Sequence, residues 1–360
     1  DDGQVRSVTF RVGPKGARQQ SFTATGSGNV YSVQLSGFTN GTWTWSVVAK
    51  DNANLTATSP TVEFTVNTAT GGGGGGGGGG VVTNAQYTGG GAIQNAVGRI
   101  YFEMPGNAQR TNWGGYVCSG TVVNDTTTGR SIIQTAAHCV YDDANKAFAR
   151  NVLFIPNQDG TTAAGTDRNC TNDPLGCWTA AFGVVDRDWT TATFPDNIPW
   201  DYAYYVVNDT GAYTAGLSTV SAQLDAAVTP MTISFAVPQF SVANSANDYT
   251  HALGYSYSDD PNFMYCAEDM TQLDSSNWWL GSCGLSGGSS GGPWIQPLSN
   301  GTGPLISVNS WGYTGQPGMA GPKLSGTSAQ CVFNAAQSTT ATPLPAPAGD
   351  GNAGYVPQGC

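Results

Sequence analysis

Residues 71–80 are ten consecutive glycines. A run without side chains has no apolar surface to bury and loses the most chain entropy on ordering, so no hydrophobic core is built through it. Whatever this chain folds into must form separately on the two sides. A Gly-rich tether of this length spans a root-mean-square distance of roughly 5–6 Å × √10, which lets the flanking units touch or separate. The division predicts a small unit over 1–70, a linker over 71–80, a main unit over 81–337 and a Pro/Ala/Gly-rich tail over 338–360.

In the small unit Val8, Phe10 and Val12 alternate with polar residues. So do Tyr31, Val33 and Leu35, then Trp43 and Trp45, then Val62, Phe64 and Val66. A period of two marks half-buried antiparallel strands, and Asn40-Gly41 supplies a turn, so a β-sandwich is predicted. The stretch YSVQLSGFTNGTWTWSVVAKDNANLTATSPTVEFTV resembles a bacterial Ig-like or fibronectin type III-like module. It holds no His and no Cys, hence no catalytic cluster.

The main unit is also strand-like. VGRIYF, YVCSGTVV, SIIQTAA, NVLFI, DYAYYVV and PLISVNSWG are β-branched or aromatic runs separated by Gly, Pro, Asn and Asp. Helical periodicity is scarce. The reading is all-β, with short strands and long loops as in paired barrels. The tail reads as extended chain, but it ends on Cys360, which argues that something ties it down.

Thirteen basic against twenty-four acidic residues give a formal charge of −11. That balance repels phosphate backbones and anionic membranes, so nucleic acid is not an expected partner. No apolar run approaches the ~18 residues needed to span a bilayer. Eight cysteines in a Lys-poor chain imply disulfides and an oxidising compartment. With two histidines and no paired CxxC units, no metal site and no cofactor are expected. No signal peptide is visible; export would mean that it has been removed. A monomer is expected.

Any His-dependent chemistry has two candidates, His138 in SIIQTAAHCV and His251 in NDYTHALGYS. His138 follows a strand-like run and precedes a cysteine, a rigid setting at an element end. Nucleophilic hydrolysis needs a hydroxyl, a base within reach, a carboxylate that fixes the base, and N–H groups aimed at the developing oxyanion. GLSGGSSGGPW, at 284–294, offers serines in a permissive backbone. Its composition alone fits a linker, but WWLGSC before it and PWIQPL overlapping its end place Trp on both sides, which linkers do not.

Together these stretches resemble the chymotrypsin/trypsin-like serine peptidases, in a bacterial-type member. TAAHC matches that family's catalytic-histidine motif, YVCSGTVV its Cys-Gly-Gly-Ser-Leu strand, and GGSSGGP its Gly-Asp-Ser-Gly-Gly-Pro motif at five of six positions from Gly288 to Pro293. SVNSWG resembles the strand that pairs with substrate. The resemblance covers about 95–335 and implies a double β-barrel and a secreted endopeptidase acting on proteins or peptides. It implies Ser290 as nucleophile, His138 as base and the N–H groups of Gly288 and Ser290 as oxyanion hole. Asp201 in PWDYAYYVV is the implied carboxylate, with Asp196 as fallback; Asp142 and Asp143 lie too near His138. Substrate-binding positions are Ser310, Trp311 and Gly312, with Gly284 at the pocket base. Gly284 carries no charge, and Asn309 stands where glutamate-specific relatives place a His, so an uncharged pocket for apolar or aromatic side chains is implied. Ser289 replaces the Asp that pairs with a new N-terminus in vertebrate-type members, so no such activation is expected. The alternative is a catalytically silent relative that binds surfaces through its Ig-like unit.

Cys118–Cys139 follows from the resemblance. Cys170–Cys177 is suggested by proximity. Cys266–Cys283 with Cys331–Cys360 would close local loops and pin the tail, whereas Cys283–Cys331 would resemble the family bridge beside the pocket.

Overall fold

The computed structural model describes residues 5–27, 30–33, 35, 41–66, 80–163, 165, 167–209, 223–241, 247–341 and 349–360. Most of the glycine linker, 71–79, and residues 342–348 of the tail lie outside these. The chain divides into two units, Asp1–Thr70 and Gly71–Cys360.

The described part of the first unit is β throughout. Its long strand Gly41–Asp51 pairs on one side with Val5–Pro14, which in turn pairs with Gln20–Thr23. On its other side it pairs with Val62–Val66 and then Thr56–Thr58. Val8 and Val12 are buried and Phe10 stacks on Trp45 at 5.8 Å, as the period-two pattern requires. Thr25–Ser27 and Val30–Ser32 form a separate two-stranded ribbon.

The second unit holds the six strand-like runs read from the sequence. One sheet runs in the order Trp178–Thr179, Arg150–Pro156, Val97–Pro105, Trp113–Val123, Arg130–Thr135, Ala203–Asn208, Phe182–Val185 and Gly354–Tyr355. The first and seventh strands of this order, Trp178–Thr179 and Phe182–Val185, are nearly consecutive chain. Ala180 N–H donates to Val152 O and Ala181 N–H to Val206 O, so the segment between Trp178 and Val185 bridges both ends and closes the sheet into a barrel. Ile100, Val122, Ile132, Phe154, Trp178, Val184 and Val206 are fully buried in its core.

The second half is built from the sheet Leu305–Val308, Pro293–Ile295, Tyr249–Gly254, Met264–Asp269 and Val82–Gln86, and from the sheet Thr271–Gln272, Asn277–Leu280 and Met319–Pro322. Ser307 Oγ donates to Pro322 O at 2.7 Å and Ser310 N–H to Ala320 O at 3.0 Å, which ties the two sheets together. The fold is all-β with few helices, in the two-half architecture expected.

One element departs from the expectation of scarce helix. Ala329–Ser338 is a ten-residue α-helix whose buried face is Ala329, Val332, Phe333 and Ala336. The boundary drawn before 338 therefore falls inside this helix, and the tail begins only after it. The cysteines pair as Cys118–Cys139, Cys170–Cys177, Cys266–Cys283 and Cys331–Cys360. Cys283–Cys331 is thereby excluded. Cys331 lies in the helix, so its bridge fastens the chain end, and Gly354–Tyr355 adds to Gly183–Val184 as a parallel edge strand.

Candidate active site

His138 sits in a single 3₁₀ turn, Ala137–Cys139, at the end of strand Arg130–Thr135. Three bonds fix this turn. Cys139 is bridged to Cys118, the Cys139 carbonyl accepts from Tyr205 Oη at 2.6 Å, and the Cys139 N–H donates to Ala136 O at 3.1 Å.

Asp201 follows a second 3₁₀ turn, Ile198–Trp200, and precedes strand Ala203–Asn208, which pairs with the His138-bearing strand. That pairing brings the carboxylate beside the imidazole across 63 residues of sequence. Asp201 Oδ1 accepts the His138 backbone N–H at 2.9 Å, and Oδ2 accepts from His138 Nδ1 at 2.8 Å. One carboxylate thus holds both the ring and the backbone of the same residue. Asp201 is buried, whereas the His138 side chain is 35% exposed, so the imidazole is open to solvent on part of its surface. Asp196, the fallback, is exposed and bonded to neither; Asp143 accepts instead from Phe194 N–H and Asn197 Nδ2.

The electrostatics follow from this geometry. Burial opposes a charged imidazole, but the charge and hydrogen bond of Asp201, with a contribution from Asp143, outweigh it and hold the His138 pKa above its ordinary 6.5. Burial likewise opposes the Asp201 carboxylate, yet the charge and hydrogen bond of His138, the Ser310 hydroxyl and the His138 N–H hold its pKa below 3.8.

The Ser290 turn packs directly on the strands that carry His138. The Ser290 carbonyl accepts from Ser119 N–H at 2.7 Å and lies 3.8 Å from Cys139 Sγ. Gly291 has φ +79°, and a Cβ there would collide with Thr135 Oγ1 and lie 2.8 Å from Ala136 N, so only glycine lets the turn approach this closely. The N–H groups of Ser289, Gly291 and Gly292 are spent on Ser286 O, Asn309 O and Ser289 O. Those of Gly288 and Ser290 have no intramolecular acceptor among the described residues. Ser289 is buried, and its hydroxyl donates to Ser286 O at 2.7 Å within the turn.

Ser310 adds a side-chain contact to the pair. Its hydroxyl donates to Asp201 Oδ2, a third hydrogen bond on that carboxylate. Trp311 bridges to Ala320, and Gly312 and Tyr313 are exposed. Gly284 is exposed and its N–H donates to Thr83 O at 2.6 Å. His251 lies in strand Tyr249–Gly254 between the rings of Tyr249 and Tyr265, apart from the pair.

Two residues that the sequence reading gave no such role hold the parts together. Ser119 Oγ donates to Gly288 O at 2.9 Å and accepts from Tyr255 N–H at 2.8 Å. Asn309 Nδ2 donates to Leu253 O and Ser289 O, and its Oδ1 accepts from Trp294 Nε1. Cys118, His138 and Cys139 place three ligand-type atoms within 4.8 Å of one another. Both sulfurs are spent in the disulfide, which leaves the imidazole alone.

Known proteins bear on this arrangement at two levels. No curated protein matches the chain. Among solved structures, the protease Anisep from Arthrobacter nicotinovorans is 25% identical, with a TM-score of 0.52 over 71% of this chain and all of its own. The thermostable serine protease AL20 from an extremophilic microorganism is 27% identical, with a TM-score of 0.52 over 69% of this chain and all of its own. Residues 91–312 match the family described as lysyl endopeptidase, C-terminal domain. Since that match takes in more than half of the sequence, and the fold agrees with it, the chain belongs to this family of bacterial serine endopeptidases.

Proposed function

We propose that the endopeptidase works through Ser290, His138 and Asp201 by an acyl-enzyme route. The observation that carries this reading is the double hold of Asp201 on His138, ring and backbone together. With Nδ1–H committed to the carboxylate, the neutral imidazole keeps its lone pair on Nε2, the form a general base needs. Ser290 Oγ attacks the scissile carbonyl carbon as its proton passes to Nε2. The oxyanion is received by the free N–H groups of Gly288 and Ser290. His138 returns the proton to the leaving amine, and water repeats the sequence to free the acid. The imidazolium formed in each half is stabilised by the ionised Asp201.

Protein or peptide chains are the substrates. Segment Ser310–Gly312 has one edge on Ala320, while Ser310 C=O and both backbone groups of Gly312 have no intramolecular partner among the described residues. An extended peptide fits there by adding a strand. Residues 283–293 and 309–321, which border the serine, contain no charged side chain. That supports cleavage after uncharged, apolar or aromatic residues rather than after lysine, the residue in the family's description. The four disulfides fit an extracellular setting. We assign the peptidase to 81–337 and treat 1–70 as an accessory Ig-like module joined by the glycine linker.

The test is turnover of a mixed protein substrate by the intact chain and by His138→Ala. The variant should lose at least about 10⁴-fold in kcat. Retained turnover in His138→Ala would overturn the base assignment.

A further inference from the structure

The mechanism above leaves one buried charge unused. Arg99 lies in strand Val97–Pro105 with 1% of its side chain exposed. Its guanidinium reaches from the first barrel into the second. Nη2 pairs with Asp260 Oδ1 at 2.8 Å, Nη1 donates to Tyr255 O at 2.7 Å, and Nε donates to Gln158 Oε1 at 3.0 Å. The carbonyl of Ser256 lies 3.5 Å from Nη2, and the group sits 5.7 Å from the Tyr255 ring centroid.

The loop that Arg99 grips is the loop that holds the Ser290 turn. Tyr255 N–H donates to Ser119 Oγ, which donates to Gly288 O. Ser286 N–H donates to Ser256 Oγ at 3.1 Å, and Tyr257 N–H donates to Gly287 O at 2.7 Å. The guanidinium also backs the turn directly. Gly288 has φ +96°, and a Cβ on it would lie 2.9 Å from Arg99 Nη1. Ser286 and Gly287 are therefore fixed by a loop whose own carbonyls are fixed by one arginine, and Gly288 is fixed through Ser119, which that loop also bonds.

We propose that Arg99 is the positioning residue of the oxyanion hole. Resting on the assignment of Gly288 and Ser290 above, it sets the peptide plane that presents the Gly288 N–H. Only a planar fork of five donors can bond Gln158, Tyr255 and Asp260 at once across two separate segments, a geometry that a lysine ammonium does not match. Asp260 neutralises the charge where water cannot reach it. The hole is then preorganised by a side chain internal to the barrels, with no part for a newly cut N-terminus, and Ser289 is free to be a serine.

The experiment uses the intact chain and the variants Arg99→Met/Asp260→Asn, which removes both charges together, and Arg99→Lys. Folding is followed by thermal melting, and active sites are counted by burst titration. Then kcat and KM on a peptide substrate are measured, together with the inhibition constant of a peptidyl boronic acid, which needs the hole. The double variant should lose about 10²-fold in kcat per active site and a similar factor in boronate affinity, with KM within about threefold. Arg99→Lys should show the same selective pattern at about tenfold, and it carries the test if the double variant does not fold. Wild-type kcat and boronate affinity in either folded variant would overturn the proposal. So would a loss that disappears when rates are normalised to active sites. A Ser290→Ala variant that titrates as many active sites as wild type would instead overturn the Ser290 assignment itself.

Discussion

Asp201 accepts three hydrogen bonds, from His138 N–H, His138 Nδ1 and the Ser310 hydroxyl, and is buried while doing so. Asp201→Asn keeps the shape but offers an amide that favours the wrong imidazole tautomer, so kcat should fall by about 10⁴-fold. The residual activity carries a second signature. Catalysis requires neutral His138, so kcat/KM rises as pH passes its pKa. The carboxylate holds that pKa above 6.5, and its loss lets burial pull the value down. The acid limb of the variant's profile should therefore move to lower pH; a limb at the wild-type position would contradict the pairing. Asp201 was legible in the sequence because its position after His138 follows a family pattern. The Ser310 hydroxyl was not, since its motif points to a backbone role. The supporting roles of Ser119, Asn309 and Arg99 were not legible because each acts on residues 15 to 169 positions away in sequence, a relation that barrel register creates.

Among the elements, strands with clean β-branched or aromatic runs were legible, and all six are found in the second unit. Strands Met264–Asp269, Asn277–Leu280 and Met319–Pro322 were not, because short runs such as MAGP carry neither period nor propensity. Helix Ala329–Ser338 carries a readable signal, apolar residues at i, i+3, i+4 and i+7, but it is one short period directly before a Pro-rich tail. Of the cysteine pairs, Cys118–Cys139 was implied by the family resemblance and Cys170–Cys177 by proximity, whereas Cys266–Cys283 with Cys331–Cys360 was one of two alternatives; in all four bridges the Cα atoms lie 5.2–6.2 Å apart. Strand Tyr249–Gly254 yields a prediction of its own. His251 lies against Tyr249 and Tyr265, its Nδ1 is buried without a hydrogen-bond partner among the described residues, and burial lowers its pKa to about 4. The folded state thus binds this proton more weakly than the unfolded chain, and stability is lost as pH falls from about 6.5 towards 4, by about 1–3 kcal/mol. His251→Phe should melt increasingly above wild type as pH is lowered from about 7.5 to 4.5. A melting difference constant across that range would show that His251 does not titrate on unfolding.

At the scale of the whole molecule, the chain falls into the two units Asp1–Thr70 and Gly71–Cys360, with the glycine run at the start of the second. The second unit is a two-half β fold with the candidate site on the strands and loops where its halves meet: His138 and Asp201 come from the first, Ser290 and Ser310 from the second. Such a site cannot be read from local pattern, because the contact exists only after both sheets have closed. What was readable was the pair of motifs, TAAHC and GSSGGP, whose glycines and small residues are demanded by the close approach of Gly291 to Thr135 and Ala136. The identity of the first unit was less legible, since period-two alternation is common to many β modules. The central claim is that the intact chain is an endopeptidase whose nucleophile is Ser290, and a fluorophosphonate adduct mapped by peptide mass analysis tests it most directly. The account predicts one adduct per chain, on Ser290 and not on Ser286 or Ser289, strongly slowed in His138→Ala. An unlabelled chain, or an adduct on either neighbouring serine, would contradict it.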